Sequence, residues 1–566
     1  MKKQTIFAAM VMTSLAAAAQ ETYESAQLAT EDLNGTARYV GMGGAMEALG
    51  ADISTMGSNP AGIGLFRRSW AGVSAGVTFQ QQGHSNMGVN IINDKNSVTN
   101  ADLNQAGFVY STQCGSQSWF NIGVNFHKSR NFNMVAGAVN SLYDGSSLNK
   151  MSAMRLASLQ PDSKYWQNNW PNTQVRDKYD SRWDELSRLD QMNYNVINED
   201  LIGFDKDADG NITAQQEGYS GANQYWAYNK NSGYIGEYDI NFSGNLNDRV
   251  YLGVTLGLKD VHYKNENFYM ENLVDANDND RGRYAMADNR AVTGTGFDIK
   301  FGIIFRPMED SPFRIGAYIH TPTWYDLTCA SDLAAGADFT YNESSYNNRV
   351  QNANGIEYKY KITTPWKFGL SLGHTFNNVV ALGATYEYAD YSFIRNKIVF
   401  DQDHSVFEKD YDMDRNTEAT LRGVSTAKIG VEVKPVPEVS LRLGYNYVSP
   451  MYKDYSSKDF TVSPAPGYGS NGSYYSTYDY INWKDTHRVT FGLGFVLSKN
   501  LNLDMAYQFS TQKGEYHPFQ SVYGLTTYTI APDASVASVT TDSNIGTPTS
   551  IKNNRHQVNV TLGYRF

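Results

Sequence analysis

Val558-Asn559-Val560-Thr561-Leu562-Gly563-Tyr564-Arg565-Phe566 closes the chain and alternates without a break. Val558, Val560, Leu562, Tyr564 and Phe566 share one face of an extended strand; Asn559, Thr561, Gly563 and Arg565 share the other. Successive strand side chains point to opposite faces, so a period of two predicts a strand with one apolar and one polar surface. The same rhythm returns upstream. Phe297, Ile299, Phe301, Ile303 and Phe305 alternate with Asp298, Lys300, Gly302 and Arg306, and Val250, Leu252, Val254, Leu256 and Leu258 with Tyr251, Gly253, Thr255 and Gly257.

The pattern predicts fourteen strands, near 70–82, 104–115, 118–129, 233–245, 248–268, 291–306, 312–328, 356–374, 379–401, 420–434, 438–452, 485–498, 501–515 and 552–566. Short links alternate with long polar ones, the largest at about 130–232. An even strand count with alternating turns and loops is the construction of an outer-membrane barrel. Backbone polar groups in hydrocarbon must all be paired, so a sheet there has to close. The apolar face then meets lipid. The polar face, with Asp298, Lys300, Arg314, Lys367, Glu387, Lys428, Glu432, Arg442 and Asp504, meets a wet lumen. A soluble sandwich would also alternate; the export signal and the loop asymmetry decide for the membrane. The expected fold is all-β, a 14-stranded antiparallel transmembrane β-barrel over 70–566.

Composition agrees. The chain has 566 residues, 47 Lys+Arg against 58 Asp+Glu, and a net charge of -11, which argues against nucleic acid as partner. Two cysteines make no disulfide scaffold. Past the N-terminus no apolar run reaches the ~18 residues of a membrane helix, which excludes a helical transporter. Lys2 and Lys3, an apolar run from Ile6 and Ala17-Ala18-Ala19 read as a cleaved signal peptide over 1–19, so the expected location is the bacterial outer membrane. The terminal Phe566 resembles the signal read by the barrel-assembly machinery, an expected partner along with the lipid bilayer.

Residues 20–69 do not alternate. They are apolar and Gly-rich, and their expected place is inside the barrel, as an N-terminal hatch plugging the lumen. Here Gly35-Thr36-Ala37-Arg38-Tyr39-Val40-Gly41-Met42-Gly43-Gly44-Ala45-Met46-Glu47-Ala48-Leu49-Gly50-Ala51-Asp52 is followed by Ser58-Asn59-Pro60-Ala61-Gly62-Ile63-Gly64. This run resembles the FadL/OmpP1/TodX family of outer-membrane transporters of hydrophobic compounds, in its Bacteroidetes branch. The resemblance implies a hatch motif at Asn59, Pro60, Ala61 and Gly62. It implies hydrophobic small molecules such as long-chain fatty acids or aromatic hydrocarbons as ligands, captured outside, passed by the hatch and released sideways through a kinked third strand. Gly123 is the candidate kink, or a glycine that relieves lumenal crowding. Trp166, Trp170 and Trp183 are candidates for ligand capture, or for the loop's own small core.

Asp205-Lys206-Asp207-Ala208-Asp209-Gly210-Asn211 matches the start of an EF-hand-type loop, with Glu217 one position late for the closing carboxylate. Asp205, Asp207, Asp209, Asn211 and Glu217 are therefore candidate ligands of a structural calcium ion; the alternative is an Asp/Gly turn. No other cofactor is expected. No compact catalytic constellation appears, so no enzyme is expected. The expected function is passive transport of hydrophobic compounds. The alternatives are a diffusion porin for polar solutes, which the hatch opposes, and a surface adhesin acting through its external loops.

Overall fold

The computed structural model describes residues 21–81, 97–143, 145–151, 196, 202–206, 212–217, 221–275, 277–341, 344–399, 406–458, 478–530 and 536–566. β1 (Trp70–Gln81), β2 (Ser97–Gly115) and β3 (Ser118–Asn131) are successive neighbours, and β3 resumes after two residues as β4 (Met134–Ser141). A hairpin of β5 (Ile202–Lys206) and β6 (Ile212–Glu217) belongs to the large loop. The wall continues with β7 (Gly221–Leu246), β8 (Val250–Val274) and β9 (Asp280–Phe305). The next three wall strands are interrupted: β10 (Arg314–His320) with β11 (Trp324–Tyr341), β12 (Ser344–Thr363) with β13 (Lys367–Phe376), and β14 (Val380–Asp390) with β15 (Arg395–Val399). The short β16 (Phe407–Lys409) pairs with β15. β17 (Gly423–Val436), β18 (Val439–Val448), β19 (Tyr480–Val496) and β20 (Leu501–His517) follow. β21 (Val522–Ile530) and β22 (Val536–Asn544) form a four-stranded sheet with β6 and β5. Finally β23 (Thr549–Arg565) pairs with both β20 and β1, which closes a wall of fourteen antiparallel strands.

The two faces divide as the alternation requires. Outward Leu370 and Ile429 are 63% and 62% exposed, whereas inward Asp298 and Lys300 are 2% and 1% exposed. An exposed apolar belt this extensive on a closed barrel marks a membrane-spanning surface of the outer-membrane type. Phe566 lies at the rim where β1 begins, its backbone N–H donating to Ser69 O over 3.0 Å.

Several strand expectations need correction, among them the expected strand at 379–401, which a short helical turn at Tyr391–Phe393 divides. The expected strands at 312–328 and 356–374 are broken at Pro322 and Pro365, because proline cannot donate to a ladder. On their outer sides several strands are much longer than expected: β7 starts at Gly221 and β9 at Asp280, each with 26 residues. At ~3.3 Å per residue that is roughly 80 Å of strand, far beyond the 9–11 residues that cross a bilayer. Accordingly the large loop begins after Ser141 and ends before Gly221. Gly123 is not a kink: it pairs in regular register with Val109 and Asn241, and its missing side chain makes room for Met56.

Above the membrane the long strands enclose an apolar core that includes Tyr225, Tyr269, Tyr284, Leu273, Tyr516 and Phe519. Leu148 and Met151 from the large loop are buried in it, so this end of the loop contributes to a cap. Trp166, Trp170 and Trp183 lie outside the described residues, as do residues 1–20, where the signal peptide is expected.

Candidate functional site

The hatch descends through the lumen from residue 21 to Phe66. It begins as α1 (Thr22–Ala29), in the upper half, where Glu24 meets Arg290 at 2.8 Å and accepts from Tyr360 Oη at 2.8 Å. Below it, Glu31 pairs with Lys259 at 3.0 Å and with Lys367. A one-turn helix follows, α2 (Ala37–Gly41), with Thr36 capping the Tyr39 amide. Ala37 N donates to Thr561 Oγ1 at 2.7 Å, Arg38 pairs with Glu432 at 3.2 Å, and buried Glu47 accepts from Lys428 at 2.9 Å and Thr385 at 2.7 Å. The charges expected on the lumenal face are thus used by the hatch or paired with one another, as Arg442 is with Asp504 at 2.6 Å.

Asn59, Pro60, Ala61 and Gly62 form the lowest turn of the hatch. Asn59 accepts from the Ala61 amide at 3.2 Å as an N-cap, and donates to Glu47 O at 3.1 Å and Ile303 O at 3.4 Å. Pro60 occupies the first helical position, where a missing N–H costs nothing. His320 bonds Ser58 O at 2.6 Å. A Cβ on Gly253 would strike Pro60, and one on Gly302 would strike Asn59.

The same device runs round the opposite wall. Gly373, Gly383, Gly430 and Gly444 are directly paired across β13, β14, β17 and β18. Side chains there would run into Ala48, the Ala45 carbonyl, the Met42 carbonyl and Gly43. Glycine weakens a strand by roughly 0.5–1 kcal/mol per residue. Four in register are explained by the close approach of the hatch backbone. The inward glycines were legible in the sequence; their common function was not, because it depends on strand register.

Between β2 and β3 the wall is different. β1 pairs with β2 up to Ser97, but the β2–β3 ladder ends at Gln105 opposite His127. Past that point β3 shifts register against β7 between Lys128 and Arg130, and β4 pairs with β7 alone. β4 leans inward, with the Gln80 amide bonding both N and O of Val135. Side chains span the gap instead of backbone: Asp102 of β2 takes Lys128 and, at 3.1 Å, Asn131. The hatch fills the free edge of β3. Asp32 N donates to Ser129 O at 2.8 Å, and Asn34 Nδ2 to Lys128 O at 3.1 Å. The wall is therefore interrupted at 128–133, not at Gly123.

A cavity of about 270 Å³ lies beside the hatch at this gap, lined among others by Asp32, Arg130, Phe132, Met134, Arg488 and Arg555. Sequence reading missed this cluster, whose members come from four distant segments. It also missed His127, Glu237 and Asp239, which converge with His127 Nδ1 3.2 Å from Asp239 and Nε2 3.7 Å from Glu237. These donor types could hold a metal. Lys259, at 3.2 Å from Glu237, and Lys300 already neutralise the same carboxylates, so the group reads as an ion-pair network.

The calcium candidates are separated by their backbone. Asp205 pairs opposite Ala214, whereas Glu217 pairs opposite Ile202, three ladder steps or about 10 Å away. That hairpin does not bring Glu217 to the Asp205 end. Asp207, Asp209 and Asn211 lie outside the described residues.

Fold and lumen together define a membrane barrel closed by its own N-terminal segment. No family model matches the sequence, and no curated protein matches it. Among solved structures the chain is similar to a FadL homologue of Pseudomonas aeruginosa (12% identity, 95% of this chain and 100% of that one, TM-score 0.46). It is similar also to the toluene transporter TodX of P. putida (13%, 94% and 99%, TM-score 0.45) and to the monoaromatic hydrocarbon channel CymD (9%, 95% and 98%, TM-score 0.44).

Proposed function

We propose that this barrel carries hydrophobic compounds passively across the outer membrane, with capture outside, passage along the hatch, and release sideways between β2 and β3. The observation that carries the reading is the side-chain-bridged gap in the wall, which abuts the lumenal cavity. A lipid-soluble molecule leaving there avoids the periplasm, whereas a porin would need an axial channel where the hatch stands. Long-chain fatty acids or aromatic hydrocarbons are the proposed ligands. The test uses proteoliposomes with the native protein and an Asn59→Ala/Pro60→Ala variant. Uptake of labelled palmitate, a long-chain fatty acid, and of toluene would be measured beside ionic conductance. Protein-dependent uptake at low conductance, altered in the variant, is expected; high native conductance without preference for either compound would sink the reading.

The strands that project far past the membrane and the outer sheet of β5, β6, β21 and β22 favour one second reading, a surface-binding barrel. Removing residues 202–217 would abolish surface binding and leave uptake intact if that reading were right.

A further inference from the structure

On its outer surface the wall changes character in a single step. Leu258, Phe297 and Trp324 face one another across β8, β9 and β11, and Thr363 of β12 and Arg395 of β15 continue that row. Trp324 is exposed and stacks on Phe297, with ring centroids 6.2 Å apart. Trp366, Phe368 and Leu370 follow toward the membrane, exposed on the lipid-facing belt. The next row outward, two residues or roughly 7 Å farther along the strands, carries Asp260, Thr295, Asp326, Lys361, Lys397 and Lys409. Aromatic residues end the apolar band of a barrel at the membrane interface, so this second row stands at the level of the outer leaflet's headgroups.

Three lysines on three adjacent strands are therefore direct neighbours: Lys361 is opposite Lys397, and Lys397 is opposite Lys409. Lys359 follows on the same face of β12. Cβ atoms of directly opposite residues are about 5 Å apart, and like charges so placed destabilise a sheet. The protein offsets only part of this charge. Asp326 reaches Lys361 at 3.0 Å, and Glu418 takes Arg395 at 2.7 Å. Glu357 lies farther from the membrane along β12, and Glu408, opposite Ile398, alternates to the other face. Lys359, Lys397 and Lys409 are exposed and have no ion pair among the described residues. An anion in the adjoining leaflet would relieve the repulsion: lysine binds phosphate as a point charge, and basic clusters at a membrane surface hold anionic headgroups. We propose that Lys361, Lys397 and Lys409 bind the phosphate-bearing headgroup of an outer-leaflet lipid, whose chains lie on Trp366, Phe368 and Leu370. The occupant is a lipid because the charges adjoin an exposed apolar surface; a free phosphate ion would use the charges alone. The site is on the outside of the wall and does not depend on the transport reading.

The test is native mass spectrometry of the full chain in dodecyl maltoside, titrated with diphosphoryl lipid A and with the same lipid after enzymatic removal of its phosphates. The native protein is expected to bind the phosphorylated lipid about tenfold or more tightly, the size of a charge-assisted interaction. Lys361→Gln/Lys397→Gln/Lys409→Gln should bring that preference close to nil. Lys361→Arg/Lys397→Arg/Lys409→Arg, which keeps the charge, should retain it. Lys230→Gln/Lys264→Gln, on β7 and β8, should leave it unchanged. In lipid-free detergent the glutamine variant should melt at or above the native temperature, because it removes repulsion without touching the core; a lower value would overturn the repulsion on which the site rests. No native preference, or an unchanged one in the glutamine variant, would overturn the proposal. An equal loss in the Lys230/Lys264 variant would overturn it in favour of diffuse surface charge. Inorganic phosphate that displaces the lipid at equal concentration would overturn it in favour of a free-anion site.

Discussion

The walls at β13–β18 and at β2–β3 hold the same hatch in opposite ways. On the first side the ladder is in regular register at the hatch, whose backbone approaches it through Gly373, Gly383, Gly430 and Gly444. On the second side the ladder stops at Gln105, and the hatch is joined by hydrogen bonds and charges at Asp32, Asn34 and their neighbours. Close packing without side chains makes a seat. Polar bonds across an open edge, which water or a ligand can replace, make a place that can open. If the transport reading holds, the difference points to residues near 30–35, rather than the Asn59 turn, as the part of the hatch to test for movement.

The largest effect should come from breaking the seat. Gly383→Val, or Gly430→Val, places a side chain where the Ala45 or Met42 carbonyl stands. Overpacking of this kind costs about 1–3 kcal/mol at minimum. We expect ionic conductance to rise many-fold in planar bilayers as the hatch is pushed off; conductance at the native level would show that the hatch adapts in place.

Next comes the open side. Asp102→Ala removes the only side chain that joins β2 to both Lys128 and Asn131 across the gap, among the described residues. Release into the bilayer should speed up roughly tenfold, the size of a lost charge-assisted contact. Thr426→Val on the continuous side should leave release unchanged. Equal effects of the two substitutions would erase the distinction between the walls.

The third test concerns the cap. Glu271, at the outer end of β8, is fully buried and accepts from Leu148 N at 3.1 Å, Asn149 Nδ2 at 3.0 Å and Tyr269 Oη at 2.9 Å. Burial raises its pKa from 4.5 to about 7 in spite of those donors. The folded cap therefore binds the proton more tightly than the unfolded chain. Its stability falls as pH rises from about 4.5 to about 7, by about 3 kcal/mol in all. Amide exchange in 147–151, corrected for intrinsic rates, should be faster at pH 8 than at pH 5.5, and Glu271→Gln should remove the difference. A pH-independent corrected rate in the native protein would contradict this.

The smallest effect is expected at Gly123. A methyl group there strikes the flexible end of Met56 and makes ordinary contact with the Phe108 carbonyl. Gly123→Ala should lower stability by about 1 kcal/mol, seen as a small drop in melting temperature, with no change in release. A changed release rate would return the gate to Gly123.

How much of this could be read in advance follows from what each face of a strand meets. Where one face is in lipid the alternation is clean, and β1, β3, β8 and β20 start within two residues of expectation. Above the membrane the outer face meets water and the inner face a mixed cap of tyrosine and alanine, so the contrast that marks a strand disappears. The starts of β7 and β9 were missed for that reason. The breaks at Thr321-Pro322-Thr323 and Thr364-Pro365-Trp366 were legible, since X-Pro inside a strand forbids a continuous ladder. The arginine cluster was not. Arg130, Arg488 and Arg555 meet at Asp32 only once the barrel has closed.

That closure also sets an order of assembly. Ala37 bonds Thr561 across 524 residues of chain, and joining ends so far apart costs about 5 kcal/mol of chain entropy before any contact repays it. No such bond can form until β23 has found β1. A premature docking against a half-built sheet would find only some of its partners. The hatch is therefore complementary to one register of the closed wall, and a slipped register would lose its bonds to Thr561 and Glu432.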